Sequence, residues 1–200
     1  MRIITGSAKG IKLVTLEGDA TRPTSERAKE ALFSMIQFDI EGRRVLDLFA
    51  GSGQLGLEAL SRGAAYSMFT DSSADAIAVV RKNIEKTRFL EKSKTAIADY
   101  RNFLRKSDGR EGFDIVFLDP PYASGALTDA LLRLYRTKLM KRGCLLVCES
   151  ESEDARIFEK EPKLSEMYTS VKKSSYGRVH IEILTPGEEY FVKNEAENEE

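Results

Sequence analysis

Cysteine and histidine are scarce in this chain of 200 residues, which has two of the first and one of the second. Cys144 and Cys148 stand four apart in a strand-like run, CLLVC. That even offset puts both on one strand face pointing the same way, so they do not pair with each other, and the run is not a CxxC. Buried free thiols in a reducing compartment are expected. The lone His180 cannot build a histidine metal site, and no metal is expected; alternating with Val179 and Ile181, it reads as a strand residue on the more polar face. An apolar run of about 18 residues, as a membrane-crossing helix needs, is missing. So is a signal-peptide pattern, and a soluble cytoplasmic protein is expected. Net charge is also slight, −1, but uneven. The last 14 residues, GEEYFVKNEAENEE, carry −5 and leave the preceding body at +4.

What is present fits one domain over residues 1–186, with an N-terminal extension over 1–40 and an acidic tail over 187–200 expected to be disordered. Apolar residues make up 42%, enough to bury a core. Basic residues cluster, ten Lys/Arg against four acids over 81–110, five over RLYRTKLMKR (133–142) and three over KKSSYGR (172–178). Each cluster alone reads as a solvated face; together they permit a polyanionic partner without demanding one.

RIITGSAKGIKLVTL predicts a short N-terminal β-hairpin around Gly6 and Gly10, and Pro23 with Thr24, Ser25 and Glu26 predicts a helix start. From residue 43 strands and helices alternate: RRVLDLFAG, LGLEALSRG, YSMFTD, ADAIAVVRKNIEKTRF, TAIAD, YRNFLRK, FDIVFLD, GALTDALLRLYRTKL, CLLVCES. Near-continuous apolar strands between helices predict a parallel α/β sheet covered on both faces. MYTSVKKSSYGRVHIEILTP then predicts a closing antiparallel hairpin turning around Ser175–Gly177.

Gly51-Ser52-Gly53-Gln54-Leu55-Gly56 follows the first strand as a GxGxxG, so a dinucleotide must be considered. Asp47 weighs against it. A carboxylate at the mouth of the loop repels a pyrophosphate but suits the sulfonium and ammonium of S-adenosylmethionine. Acids also end the second, third and fourth strands, Asp71, Asp99 and Asp119. Any one could cap a helix; four at neighbouring carboxyl ends fit one lined cleft better. In that cleft Asp71 takes ribose hydroxyls and Asp99 the adenine amino group, with Tyr100 or Ser72 beside the ring.

Asp119-Pro120-Pro121-Tyr122 ends the fourth strand. Prolines fix φ and donate no N–H, so the Pro120 carbonyl can serve as a rigid acceptor. Asp119 adds a second acceptor and Tyr122 a flat face. Two acceptors and a stacking ring suit an exocyclic amino group on a planar base. The bland alternative is a turn whose acid caps the next helix and whose tyrosine packs on the surface.

Taken together, VLDLFAGSG and FLDPPY resemble the class I adenosylmethionine-dependent amino-methyltransferases, with their Rossmann-like, mostly parallel seven-stranded sheet. MRIITGSAKGIKL, TRPTSERAKEALFSMI, LGLEALSRGA, FLDPPY and the late YG together resemble the bacterial 16S rRNA guanine-N2 methyltransferases of the RsmD type, over about residues 1–186. The resemblance implies methylation of one guanine N2 in small-subunit rRNA, on an assembling 30S particle, by a monomer using S-adenosylmethionine and no metal. It places Asp47, Phe49, Gly51, Ser52, Gly53, Asp71, Ser72, Asp99 and Tyr100 at the cofactor. Asp119, Pro120, Pro121 and Tyr122 fall at the guanine, and Lys9, Arg22, Thr24, Arg27 and Arg178 at RNA. Three alternatives stay open: an adenine-N6 methylase, for whose usual extra recognition domain the chain leaves little room, a dehydrogenase, and a non-catalytic RNA-binding assembly factor.

Overall fold

A computed structural model describes residues 1–16, 23–107, 112–121, 124–151 and 157–196. Helix α1 (Pro23–Met35) leads into alternating β1 (Arg44–Asp47), α2 (Gln54–Ser61), β2 (Tyr66–Asp71), α3 (Ala74–Thr87), β3 (Ser93–Ile97), α4 (Tyr100–Lys106), β4 (Phe113–Leu118), α5 (Ala126–Leu134) and β5 (Met140–Glu151). Two short helices, α6 (Ile157–Lys160) and α7 (Lys163–Met167), precede the hairpin of β6 (Tyr168–Tyr176) and β7 (Val179–Pro186), and α8 (Glu188–Ala196) closes the chain. The sheet order is β3-β2-β1-β4-β5-β7-β6. The first five strands are mutually parallel and β7 runs antiparallel between β5 and β6, as expected.

Strand periodicity explains the two-sided core. Val45 of β1 and Ile115 and Phe117 of β4 face one apolar layer with α1, α2 and α3. Leu46, Val116 and Leu118, one residue out of phase, face the other with α4, α5 and α8. Cys144 and Cys148 are free and buried in that second layer, where burial pushes both thiols well up. His180 is half-buried on β7, with Nδ1 2.8 Å from Ser175 Oγ.

The two ends differ from expectation. The N-terminal hairpin is reduced to one antiparallel bridge, Arg2 to Lys12. It is fastened to α2, not extended into strands: Ile4 and Thr5 N–H donate to Glu58 Oε2 and Oε1 at 2.7 and 3.0 Å. At the other end, the tail read as disordered is α8 over 188–196. Composition gave its charge but not its anchor, Tyr190, which is 2% exposed. The Tyr190 hydroxyl donates to Thr137 O at 2.8 Å and accepts from Met140 N–H at 3.1 Å, and its ring packs on Tyr135 and Phe191. Residues 197–200 lie outside the described residues.

Candidate active site

β1 ends at Asp47, and the chain turns at once into the glycine loop. Leu48 N–H donates to Phe117 O at 3.2 Å, while Ala50 N–H donates to Thr70 O at 2.9 Å. The loop is therefore pinned between the carboxyl ends of β2 and β4, with Asp119 two residues beyond its bond to β4. Gly51 and Gly53 both have positive φ, 53° and 79°. A Cβ on Gly51 would meet no atom within 4 Å and would project into open space above the sheet. A Cβ on Gly56 would lie 2.4 Å from the Phe69 ring, so the third glycine lets α2 sit down on β2.

The loop amides have carboxylate partners. Asp47, 2% exposed, accepts from Gly56 N–H at 3.0 Å. Asp71 accepts from Gly51 N–H at 2.9 Å through Oδ2 and from Ser73 N–H at 2.8 Å through Oδ1. Gly53 N–H turns back to Ala50 O. Amides that would cradle a pyrophosphate are thus spent inside the protein, and two acids sit where phosphate charge would go. This donor set, rich in acids and open above Gly51, fits a phosphate-free cation such as S-adenosylmethionine. Burial, reinforced by nearby Asp71 and opposed by the Gly56 bond, pushes the Asp47 carboxyl up to about 7.

Beyond β3, Asp99 caps α4 by accepting from Arg101 N–H at 3.0 Å. It also helps line an open groove of about 670 Å³ with Ser72, Ile97, Ala98, Asn102 and Phe103. Ile97 is 54% exposed there, an apolar wall of the kind a flat ring covers. Tyr100 does not line this groove. It is buried, with its ring centroid 5.0 Å from that of Phe49 and its hydroxyl donating to Asp129 Oδ2 at 2.7 Å. Being first in α4, it points down onto the sheet while Asp99 before it stays at the rim.

On the β4 side Asp119 is half-buried, Pro120 buried and Pro121 exposed. Ser124 Oγ donates to Pro121 O at 2.6 Å, which occupies one lone pair of that carbonyl. Tyr122 and Arg22 lie outside the described residues, and Thr24 is in the first turn of α1. Lys9, Arg27 and Arg178 are exposed. Arg178 follows the β6–β7 turn, which pairing of Val179 with Glu151 brings to the carboxyl end of β5, on the same rim as Asp119.

Sequence reasoning missed Asn83. Fully buried on α3, it donates through Nδ2 to Ser52 O and Val14 O, both at 2.9 Å, and accepts from Val14 N–H at 2.8 Å. It thereby ties the glycine loop to the N-terminal segment. The signal was available, since Asn83 interrupts the apolar stripe of Ala76, Ile77, Val80 and Ile84. Among the described residues no group of His, Cys, Asp or Glu is placed to hold a metal, and no helix is long and apolar enough to cross a membrane.

Known proteins share this sequence pattern and fold. A family model described as Conserved hypothetical protein 95 matches residues 1–185. YlbH of Bacillus subtilis is 38% identical over 154 residues, 76% of this chain and 84% of its own. The Haemophilus influenzae ribosomal RNA small subunit methyltransferase D is 34% identical over 154 residues, 76% of this chain and 80% of its own. The solved structure of Escherichia coli yhhF superposes with a TM-score of 0.79 at 30% identity, covering 93% of this chain and 97% of that one. With the sheet order, the glycine loop and the acid-proline motif, these matches place the chain in the Conserved hypothetical protein 95 family, that of the ribosomal RNA small subunit methyltransferase D proteins.

Proposed function

We propose that this protein is an S-adenosylmethionine-dependent methyltransferase that modifies the exocyclic N2 of a guanine in 16S rRNA, in the cytoplasm, acting as a monomer on an assembling small subunit. The observation that carries the cofactor reading is the spending of the glycine-loop amides on Asp47 and Asp71. The cofactor supplies a methyl group on a positive sulfur. Asp47 and Asp71 hold the loop and offer negative charge to that cation, and Asp99 with Ser72 and Ile97 forms the groove for its base.

For the substrate, Asp119 and the Pro120 carbonyl accept the two N2 hydrogens and turn the nitrogen lone pair toward the methyl carbon. The N–C bond forms as the S–C bond breaks, its electron pair remaining on sulfur. Asp119 takes the proton released as the amine becomes cationic. A carboxylate is too weak a base to deprotonate an aromatic amine beforehand, so catalysis rests on positioning and electrostatics. Guanine over adenine rests on the resemblance of MRIITGSAKGIKL, TRPTSERAKEALFSMI, LGLEALSRGA and the late YG, taken together with FLDPPY, to guanine-N2 methyltransferases, not on the acid-proline motif itself.

The test incubates the protein with labelled adenosylmethionine and unmethylated 30S particles, naked rRNA or DNA, then identifies the nucleoside. N2-methylguanosine from the 16S rRNA of 30S particles is expected; N6-methyladenosine would overturn the base assignment, and no label anywhere would leave a binding protein. Asp119→Ala is expected to lose at least about a hundredfold in kcat while adenosylmethionine still binds.

A further inference from the structure

The two halves of the site lie on different elements. The cofactor half is the loop after β1 with the start of α4; the substrate half is the end of β4 with the loop leading to α5. One side chain spans them. Tyr100 is 8% exposed, its ring rests on Phe49 in the cofactor loop, and its hydroxyl reaches Asp129 at 2.7 Å. Asp129 lies in the first turn of α5, and its N–H donates to Gly125 O at 3.2 Å. The turn before it is clasped by Ser124, whose Oγ donates to Pro121 O and accepts from Ala126 N–H at 3.2 Å. A short path thus runs from Phe49 to Pro121, by a ring contact to Tyr100, a hydrogen bond to Asp129, and then the bonded turn of Gly125, Ala126 and Ser124.

Asp129 is held on three sides. Arg101 Nε donates to Oδ2 at 2.8 Å, and Arg133 Nε lies 2.9 Å from both oxygens. Arg101 is exposed and Arg133 half-exposed, whereas the tyrosine is buried. Against partial desolvation, the bonds from Arg133, Arg101 and Tyr100 hold the Asp129 carboxyl well below the usual range, while burial and then Asp129 itself push the Tyr100 hydroxyl up to about 12. A neutral hydroxyl therefore donates to a carboxylate throughout the neutral range, a charge-assisted bond stronger than a neutral pair.

We propose that Tyr100 and Asp129 form a positioning pair that sets the separation of the cofactor loop and the substrate motif. This rests on the methyltransferase reading above. In-line transfer tolerates little displacement, since an error of about 1 Å can cost a hundredfold in rate. The β1–β4 pairing fixes the strands, but the acceptors of the substrate lie beyond β4, where this pair supplies the lateral support.

Tyr100→Phe keeps the ring on Phe49 and removes only the bond. With Asp129→Asn and the double variant it forms a cycle. In each variant kcat is expected to fall about tenfold, the affinity for S-adenosylhomocysteine by calorimetry to move less than about twofold, and the double variant to lose no more than either single one. Wild-type kcat in Tyr100→Phe, losses that multiply, or a loss confined to cofactor affinity would overturn the pair. Amide exchange over residues 124–130, with S-adenosylhomocysteine bound, gives a readout independent of turnover. It is expected to quicken about tenfold in Tyr100→Phe. If wild-type protein methylates no nucleic acid, the methyltransferase reading falls and exchange decides alone: equal rates in wild type and variant would reject the pair.

Discussion

At the scale of the residue, Asp47 is a buried acid at odds with stability. Its folded-state carboxyl stands near 7 against an unfolded value of 3.8. Below about pH 4 both states are protonated and it costs nothing. Between about 4 and 7 the unfolded chain ionises first, the folded state holds more protons, and stability falls as pH rises. Above 7 the penalty is constant. Asp47→Asn abolishes this trend, so the melting-temperature advantage of wild type over variant is expected to shrink from pH 4 to 7 and then level; an advantage that grows with pH would reject a buried, reluctant acid. A sulfonium or ammonium nearby reverses the reluctance. Binding of adenosylmethionine at pH 7 is therefore expected to release up to about half a proton, seen as a binding heat that changes between buffers of different ionisation enthalpy. Asp47 was legible as a candidate site acid because it ends an apolar strand before glycines. Its partner was not, because Gly56 N–H is a backbone group that no residue type announces.

Elements were more legible than their fastenings. Strand and helix order follows from apolar periodicity, which packing enforces on both sheet faces, but the bonds that seat the N-terminal segment are few and polar. Glu58 is fully buried on α2. It accepts from Ile4 and Thr5 N–H, from Arg62 Nε at 2.9 Å, and lies 3.7 Å from Lys29 Nζ, itself 3% exposed. Lys29 Nζ also donates to Arg2 O at 2.8 Å. Burial depresses the Lys29 ammonium, and Glu58 opposes that depression. Glu58→Ala strands two backbone donors and a buried ammonium together, so a loss of about 3–5 kcal/mol is expected in urea unfolding. Glu58→Gln keeps an acceptor for the backbone and is expected to lose less. Equal losses would mean that the ion pair, and not the capture of Ile4 and Thr5, holds the segment. The α8 anchor was hidden in the same way: one tyrosine among six acids escapes a compositional reading, yet two backbone partners wait for its hydroxyl.

For the whole molecule, folding of the tail turns an imbalance of charge along the sequence into one across space. Tyr190 binds Met140 N–H, and Arg142 pairs with Glu188, so α8 sits at the amino end of β5. Arg178 lies beside the carboxyl end of that strand, where Val179 pairs with Glu151. The six steps of regularly paired strand from Leu145 to Glu151 alone span about 20 Å, more than twice the Debye length of about 8 Å at physiological salt. The acidic helix is thus electrically remote from the rim that carries Asp119 and Arg178, where the proposed RNA substrate would arrive. Arg178→Ala is accordingly expected to weaken RNA binding and to reduce the slope of log affinity against log salt by about 0.7–0.9, the value for one phosphate contact. Glu189→Gln on α8 removes a like-signed charge at the remote end and is expected to leave both affinity and slope unchanged at physiological salt. Should Glu189→Gln raise affinity as far as Arg178→Ala lowers it, the RNA path would have to run along the length of β5 to its amino end, and the separation of charge across the sheet would have no bearing on substrate approach.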